Sequence, residues 1–211
     1  MKKIDKLIIA CDGESASGKS TAAKLVSKKY KLLLVNSGLL YRYASKLIIN
    51  NNPKDKISFL KKVFKSISYK KICSQNLHSE QISNHVAILA KNGKVRKIVN
   101  QFQKKIIKKN KKICVEGRDI ASKILSHNPK YDIAFYFKCN LNIASKRRWK
   151  DIKKKIPLKV VKKSLKMRTL SDKKRKNSPL IRVGDAILIR TDKLSKKEVL
   201  LKMSKNIDKI I

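Results

Sequence analysis

The sequence predicts an α/β fold in which helices cover a doubly wound parallel β-sheet. Short apolar runs alternate with segments of helical periodicity, as the buried strands and crossover helices of such a fold do. The first run, residues 7–11, ends in a glycine-rich turn that leads into a helix. The chain has 211 residues, which suits one domain of this kind with insertions. Ligands of such sheets bind at the carboxyl ends of the strands.

The glycine-rich turn matches the phosphate-binding pattern G-x-x-x-x-G-K-[ST] at every fixed position. Gly13 and Gly18 allow backbone N–H groups to turn inward around a phosphate, and the following helix adds its positive end. Lys19 would bring its ammonium group to the β- and γ-phosphates, and Ser20 would offer its hydroxyl to Mg²⁺. The predicted ATP-binding residues are Gly13, Glu14, Ser15, Ala16, Ser17, Gly18, Lys19, Ser20 and Thr21.

The rest of the chain fits the same architecture. Apolar runs at 32–35, 113–116, 131–137 and 186–189 predict further strands, and a helix is expected from residue 39. Between residues 50 and 110 the strand signal disappears, which predicts a helical insertion whose first helix opens at Pro53 and whose last follows Asn92-Gly93. Pro157 divides a basic segment into two helices, and Ser195 caps a closing helix.

The chain is strongly basic, with 55 Lys and Arg against 14 Asp and Glu, a net charge of +41. Such a charge attracts polyanions, so nucleic-acid binding is one candidate function. The lysines are scattered along the chain and are not gathered with aromatic residues, which argues against a specific nucleic-acid partner. Arginine is scarce in comparison, and its planar fork suits phosphate recognition better than lysine does.

The remaining composition predicts a cytoplasmic protein without a membrane partner. The four cysteines form no C-x-x-C pair and mostly lie in or beside apolar runs, as reduced buried thiols do. No segment has the length of a membrane-spanning helix, and the apolar run near the start is too short for a signal peptide.

A second group of candidate residues follows the predicted strands or lies on the helices of the insertions. One phosphate loop anchors one triphosphate, so additional arginines indicate a second anion and therefore phosphoryl transfer between two nucleotides. We expect these residues to bind the acceptor: Ser37, Tyr41, Arg42, Arg96, Arg118, Asp119, Arg168, Asp172 and Arg175.

These motifs resemble, in order and over nearly the whole chain, those of bacterial cytidylate kinases in the P-loop nucleoside monophosphate kinase family. The shared segments are the phosphate loop, Ser37-Gly38-x-x-Tyr41-Arg42, Val95-Arg96, Glu116-Gly117-Arg118-Asp119-Ile120, Arg147-Arg148, Arg168-x-x-x-Asp172-x-x-Arg175 and Asp185-Ala186-Ile187. The resemblance implies a core (about 1–42, 106–148 and 176–211), a helical insertion that binds the nucleoside monophosphate (about 43–105) and a lid (about 149–175). It also implies a monomer that uses ATP and Mg²⁺ to convert CMP or dCMP into the diphosphate.

The resemblance further implies individual roles. Arg42, Arg118 and Arg168 would hold the acceptor phosphate, whereas Asp172 and Arg175 would contact the ribose. Arg96 and Asp119 would read the cytosine, and Tyr41 would pack beside it. Arg147 would reach the ATP phosphates from the edge of the lid. The residues expected to take part in catalysis are Lys19, Arg118, Arg147 and Arg168.

Several positions depart from the family pattern. Asn36 and Glu116 stand where aspartate is usual, and Glu14 replaces a common proline. His78 falls at an arginine position and Ala87 at the position of a serine that contacts the base. Loss of one hydrogen bond to the base would remove roughly 1 kcal/mol of selectivity, so we expect weaker discrimination between cytosine and uracil.

Three alternatives remain open from the sequence. The protein could be another nucleoside monophosphate kinase, acting on UMP or dTMP. It could be a P-loop protein that binds nucleic acid through its lysines, or a nucleotide-binding protein without turnover.

Overall fold

The computed structural model describes residues 5–211. The chain forms two compact units, one comprising the residues up to Val35 together with Lys111–Ile211, and the other comprising Asn36–Asn110. The range 43–105, which the sequence assigns to an insertion, falls within the second unit. Within the described residues, none of the helices combines the length and apolarity that crossing a bilayer requires.

The first unit is built on a five-stranded sheet in the order β2-β3-β1-β4-β5. Strand β1 pairs in parallel with β3 and β4, and β4 pairs in parallel with β5. Every residue of β1 is buried, as its apolar sequence predicts for a central strand. The α/β class with a doubly wound parallel sheet is therefore confirmed. The strands are β1 (Leu7–Gly13), β2 (Leu33–Asn36), β3 (Lys112–Glu116), β4 (Ile133–Lys138) and β5 (Ile187–Arg190).

Helices α1 and α9 pack on this sheet through an apolar core that includes Val26, Phe135 and Met203. Helices α7 and α8 have a smaller core of their own around Ala144, Val161 and Leu165. A short π-helical turn, Ile120–Ile124, follows β3. The helices of this unit are α1 (Lys19–Lys29), α7 (Leu141–Asp151), α8 (Leu158–Lys174) and α9 (Lys196–Ile207).

The described second unit is helical, as the loss of strand periodicity predicts. Its core joins Leu40, Leu60 and Val99, and the Phe64 ring packs edge-on against Tyr43 and Phe102. The helices are α2 (Ser37–Asn51), α3 (Lys56–Ser66), α4 (Tyr69–Cys73), α5 (Glu80–Leu89) and α6 (Gly93–Lys108).

Some predicted boundaries are wrong for identifiable reasons. Helix α3 does not open at Pro53, because the Asp55 carboxylate accepts the N–H groups of Ile57 and Ser58 and so caps a later start. Asn36 likewise caps α2 and moves its start to Ser37, two residues earlier than predicted. Helix α4 was not predicted, since a helix of five residues is too short to show a period.

Candidate active site

The phosphate loop joins β1 to α1 and needs glycine at both ends. A Cβ atom on Gly13 would lie 2.4 Å from the carbonyl oxygen of Phe137 on β4, so only glycine permits this approach. Gly18 has φ of 80°, the left-handed region that glycine favours, and it starts α1. Between them, Glu14 N donates to the Phe137 carbonyl at 3.0 Å, which ties the loop to the sheet.

The loop is also fixed from β5. Thr191, just after β5, donates its hydroxyl to the carbonyl oxygen of Ser17 at 2.9 Å. Arg147 of α7 donates to the Thr191 hydroxyl at 3.3 Å and to the Thr191 carbonyl oxygen at 2.8 Å. Arg147, which is predicted to reach the ATP phosphates, is therefore connected to the phosphate loop through Thr191.

Lys19 and Ser20 share one carboxylate oxygen at the end of β3. Glu116 Oε2 lies 2.6 Å from Lys19 Nζ and 2.7 Å from Ser20 Oγ, and both charged side chains are less than 10% exposed. Burial works to raise the pKa of Glu116, but the ammonium group and the hydrogen bonds outweigh burial and hold that pKa below its ordinary value. The carboxylate is therefore ionised and paired.

Asp12 connects β1 to the turn that follows β3. Its two oxygens accept the N–H groups of Ile120 and Ala121 at 2.9 and 2.8 Å, which holds the π-helical turn at the carboxyl end of the sheet. Burial raises the pKa of Asp12 from 3.8 to about 6, although these two donors oppose the shift. This role could not be predicted from the sequence, because the donors lie more than 100 residues away.

A network of arginines and carboxylates adjoins the phosphate loop in the same unit. Arg118 Nε lies 2.8 Å from Asp172 Oδ2 of α8, and its Nη2 donates to the Ser15 hydroxyl at 3.4 Å. Arg175 Nη2 lies 3.5 Å from Asp119 Oδ1, and its Nη1 lies 3.4 Å from Asp172 Oδ1. Four of the predicted acceptor residues thus form one continuous chain of ion pairs next to the loop.

Arg168 occupies an exposed position on α8, immediately before Thr169. Thr169 Oγ1 accepts the Ser15 N–H at 3.4 Å, so this part of the helix lies against the phosphate loop. Arg168 therefore belongs to the helix that carries Asp172, one turn nearer its start.

The other predicted acceptor residues lie in the second unit. Ser37 donates its hydroxyl to Gln103 Oε1 at 2.9 Å, and Gln103 is fully buried. Arg42 donates to the Leu77 carbonyl oxygen at 2.9 Å and to the hydroxyl of Ser83 at 3.0 Å. Arg96 is buried, and its guanidinium carbon lies 5.7 Å from the centre of the Tyr41 ring. The sequence did not point to Gln103, because a lone glutamine on an amphipathic helix carries no motif.

The structure also has an open groove of about 510 Å³ that could not be predicted from the sequence. Asn140, Asp192 and Leu194 contribute to its walls, so it borders the loop after β5 that Thr191 ties to the phosphate loop. Its residues come from three separate elements and include no recognisable pattern.

The donor set at Glu116 and Ser20 fits Mg²⁺. This ion prefers hard oxygen ligands and usually keeps several waters while binding only one or two protein groups and substrate phosphates. A carboxylate and a hydroxyl 2.7 Å apart meet that description. Among the described residues no cluster of three or more His, Cys, Asp or Glu side chains suits a metal.

Comparison with known proteins agrees with this geometry. The model of the cytidylate kinase family matches residues 9–209. A cytidylate kinase from Clostridium tetani is 31% identical over 220 residues, which cover 98% of this chain and 96% of that protein. A bifunctional pantoate ligase/cytidylate kinase from Prochlorococcus marinus is 34% identical over 97% of this chain, which spans only 42% of that longer protein.

Solved structures support the fold. A protein from Eubacterium ventriosum aligns with a TM-score of 0.59 and 20% identity over 97% of this chain and 99% of its own. A putative kinase from Chloroflexus aurantiacus aligns with a TM-score of 0.52 and 11% identity, covering 98% of each chain. The family match spans almost the whole described chain, and it agrees with the motif order and the parallel sheet. The chain belongs to the cytidylate kinase family.

Proposed function

We propose that the protein transfers the γ-phosphoryl group of ATP to CMP or dCMP. The observation that carries this proposal is the chain of ion pairs from Arg118 through Asp172 to Arg175, which is hydrogen-bonded to the phosphate loop through Ser15. A loop that holds a triphosphate beside preassembled guanidinium groups can neutralise two approaching phosphates. Phosphoryl transfer asks little covalent chemistry of a protein, so positioning and charge stabilisation account for catalysis.

On the ATP side, the loop N–H groups and Lys19 would hold the β- and γ-phosphates. Ser20 and Glu116 would hold Mg²⁺, which supplies charge neutralisation across the phosphate oxygens when bound. Arg147, placed beside Thr191, would contact the phosphates from α7. The groove beside Asp192 and Leu194 is the place we assign to the adenine base.

On the acceptor side, Arg118 and Arg168 in the first unit and Arg42 in the second would bind the acceptor phosphate. Asp172 and Arg175 would contact the ribose. In the second unit, Ser37, Tyr41 and Arg96 would contribute to the acceptor site. These roles are supported by the contacts that position Arg118, Asp172 and Arg175 in the first unit. In the second unit they are supported by the contacts of Ser37 and Arg42 and by the packing of Arg96 on Tyr41.

The cytosine would be read by Arg96 together with Asp119, a carboxylate that can accept a hydrogen bond from the exocyclic amine. Ala87, which is exposed on α5, offers no hydrogen bond to a base. A panel of CMP, dCMP, UMP and dTMP with saturating ATP tests the assignment through kcat/KM. We expect CMP and dCMP to be preferred, with a CMP-over-UMP ratio smaller by about fivefold than in a serine-containing relative. A preference for UMP or dTMP would overturn it.

Turnover is tested by Lys19→Met, which removes the ammonium group next to Glu116. We expect loss of CDP formation while the protein remains folded, as measured by circular dichroism. Lys24→Met on the same helix is the matched control, because Lys24 is exposed and should leave kcat unchanged. Equal CDP formation by the two variants would contradict the role of Lys19, whereas absence of CDP formation by the wild type would favour nucleotide binding without phosphoryl transfer.

We also propose a monomer that acts in the cytoplasm on free nucleotides. A reducing compartment is supported by the four cysteines, all of which are free thiols. The sulfur atoms of Cys11 and Cys114 lie only 3.8 Å from each other, yet they form no disulfide.

A further inference from the structure

One acidic side chain belongs to the phosphate loop itself. Glu14 directly follows Gly13, and its side chain is only 13% exposed. A carboxylate at this position repels a bound polyphosphate unless another group neutralises it. The Lys173 ammonium group of α8 lies 2.7 Å from Glu14 Oε1, so a residue distant in sequence supplies that neutralisation.

Two more contacts attach the same face of α8 to the loop. Thr169 Oγ1 accepts the Ser15 N–H at 3.4 Å. Ala16 packs against the apolar cluster that contains Leu165. Because Leu165, Thr169 and Lys173 are spaced by four residues, they lie along one side of the helix. That side of α8 is therefore its docking face on the phosphate loop.

The position of α8 in turn sets the position of the acceptor arginines. Asp172, next to Lys173, binds both Arg118 and Arg175. Any displacement of the last turn of α8 from the loop moves Asp172 and opens this chain of ion pairs. The loop and the acceptor network are thus connected through one helical turn.

We propose that the Glu14–Lys173 ion pair is a clasp with two effects. It neutralises the loop carboxylate, which favours ATP binding, and it holds α8 on the loop, which positions Asp172 for the acceptor. Both act as positioning residues through their side chains, since neither side chain is assigned a contact with the reacting atoms. The acceptor part of this inference rests on the proposed function, whereas the ATP part does not.

The two effects are separated by three variants. Lys173→Met leaves an unpaired carboxylate in the loop, so we expect the KM for ATP to rise about 3- to 10-fold. Glu14→Gln removes that charge, so the KM for ATP should stay level or fall. The double variant should recover the ATP value of Glu14→Gln. The KM for CMP should rise in all three, because each lacks the clasp.

Lys174→Met is the matched control, because Lys174 is the next residue on α8 and is exposed. Its KM for ATP should remain within about twofold of wild type, and the effect of Lys173→Met should shrink at high salt. Equal effects of Lys173→Met and Lys174→Met, or a double variant as impaired for ATP as Lys173→Met, would overturn the clasp. Lys173→Arg, which keeps the charge, should restore both constants and covers the case in which the methionine variant does not fold.

Calorimetric titration with ATP alone provides a readout that needs no acceptor. If no nucleoside monophosphate is phosphorylated, the proposed function fails, but the order of ATP affinities among the variants still tests the clasp. If turnover is normal and that order is absent, only the clasp fails.

Discussion

At the scale of single residues, Glu116 Oε2 accepts from both Lys19 and Ser20 in an almost fully buried setting. Removing one member of a buried ion pair leaves the other charge uncompensated, which costs far more than losing an exposed pair. The same oxygen therefore serves the stability of the free protein and the proposed metal site.

We expect Glu116→Gln to lower the free energy of unfolding by about 3 kcal/mol, because Lys19 would remain buried without its partner. Glu116→Asp keeps the charge and should lose less. Urea denaturation measures both. Lys6→Met breaks an ion pair to Asp132 whose lysine side chain is 55% exposed, and it should cost under about 1 kcal/mol. Similar losses for Glu116→Gln and Lys6→Met would contradict this ranking.

Asp12 makes stability depend on pH. Its pKa of about 6 exceeds the unfolded value near 3.8, so between these values the folded protein holds a proton that the unfolded chain has released. Its contribution to the free energy of unfolding is thus present at low pH and declines by about 3 kcal/mol as pH rises through 6. The difference between wild type and Asp12→Asn, followed by denaturation from pH 4 to 7, should fall accordingly; a constant difference would exclude the effect.

The residues of the phosphate loop could be predicted from sequence because their spacing is local. The partners of Lys19, Arg118 and Arg147 could not, since Glu116, Asp172 and Thr191 each lie more than 40 residues away. The resemblance to a family supplied roles for the arginines. It gave no reason to pair Glu14 with Lys173, because the two residues lie 159 positions apart and Lys173 falls at an unspecified position of the Arg168-x-x-x-Asp172-x-x-Arg175 motif.

At the scale of elements, the pairing of β1 with β4 determines where the phosphate loop begins. The loop turns at Gly13, directly beside Phe137, with no room for a side chain. Strand pairing, more than the loop's own sequence, therefore fixes the loop's first residue against the sheet.

Gly13→Ala should disrupt both the pairing of β1 with β4 and ATP binding, because the new Cβ atom would lie 2.4 Å from a backbone oxygen. We expect a loss of at least tenfold in ATP affinity, together with a lower melting temperature. Gly184→Ala is the matched control, as nothing lies within 4 Å of its Cβ position. Calorimetry and thermal denaturation of both variants check this, and indistinguishable behaviour would refute the steric argument.

Strands were predictable as apolar runs, and their observed bounds differ from the predicted ones by only one or two residues. Helix starts depended on capping side chains. Ser195 was identified because a serine directly before a helical apolar period is a local pattern. The structure confirms this cap and adds a capping box with Glu198, which was not predicted. At α3, proline suggested an earlier start than Asp55 allows, since the capping hydrogen bonds outweigh the preference of proline for a first turn.

At the scale of the whole molecule, 55 basic residues against 14 acidic ones make self-repulsion unavoidable. Salt screens such repulsion, with a Debye length of about 10 Å at 0.1 M. We expect the melting temperature to rise by several degrees between about 20 and 200 mM NaCl, and the KM for ATP to increase over the same range. An uncharged osmolyte at equal osmolarity is the control, and a melting temperature insensitive to salt would contradict the prediction.

The strand order has a consequence for how the chain acquires its structure. Strand β1 emerges first during synthesis, yet its two neighbours begin only at Lys112 and Ile133. Until those segments leave the ribosome, the backbone N–H and C=O groups on both edges of this apolar strand have no strand to pair with, because both partner strands lie more than 100 residues downstream. Such long-range closure slows folding and exposes an edge prone to intermolecular pairing. The segment that anchors the phosphate loop in the finished protein is therefore also the one most exposed to aggregation while the chain is being made.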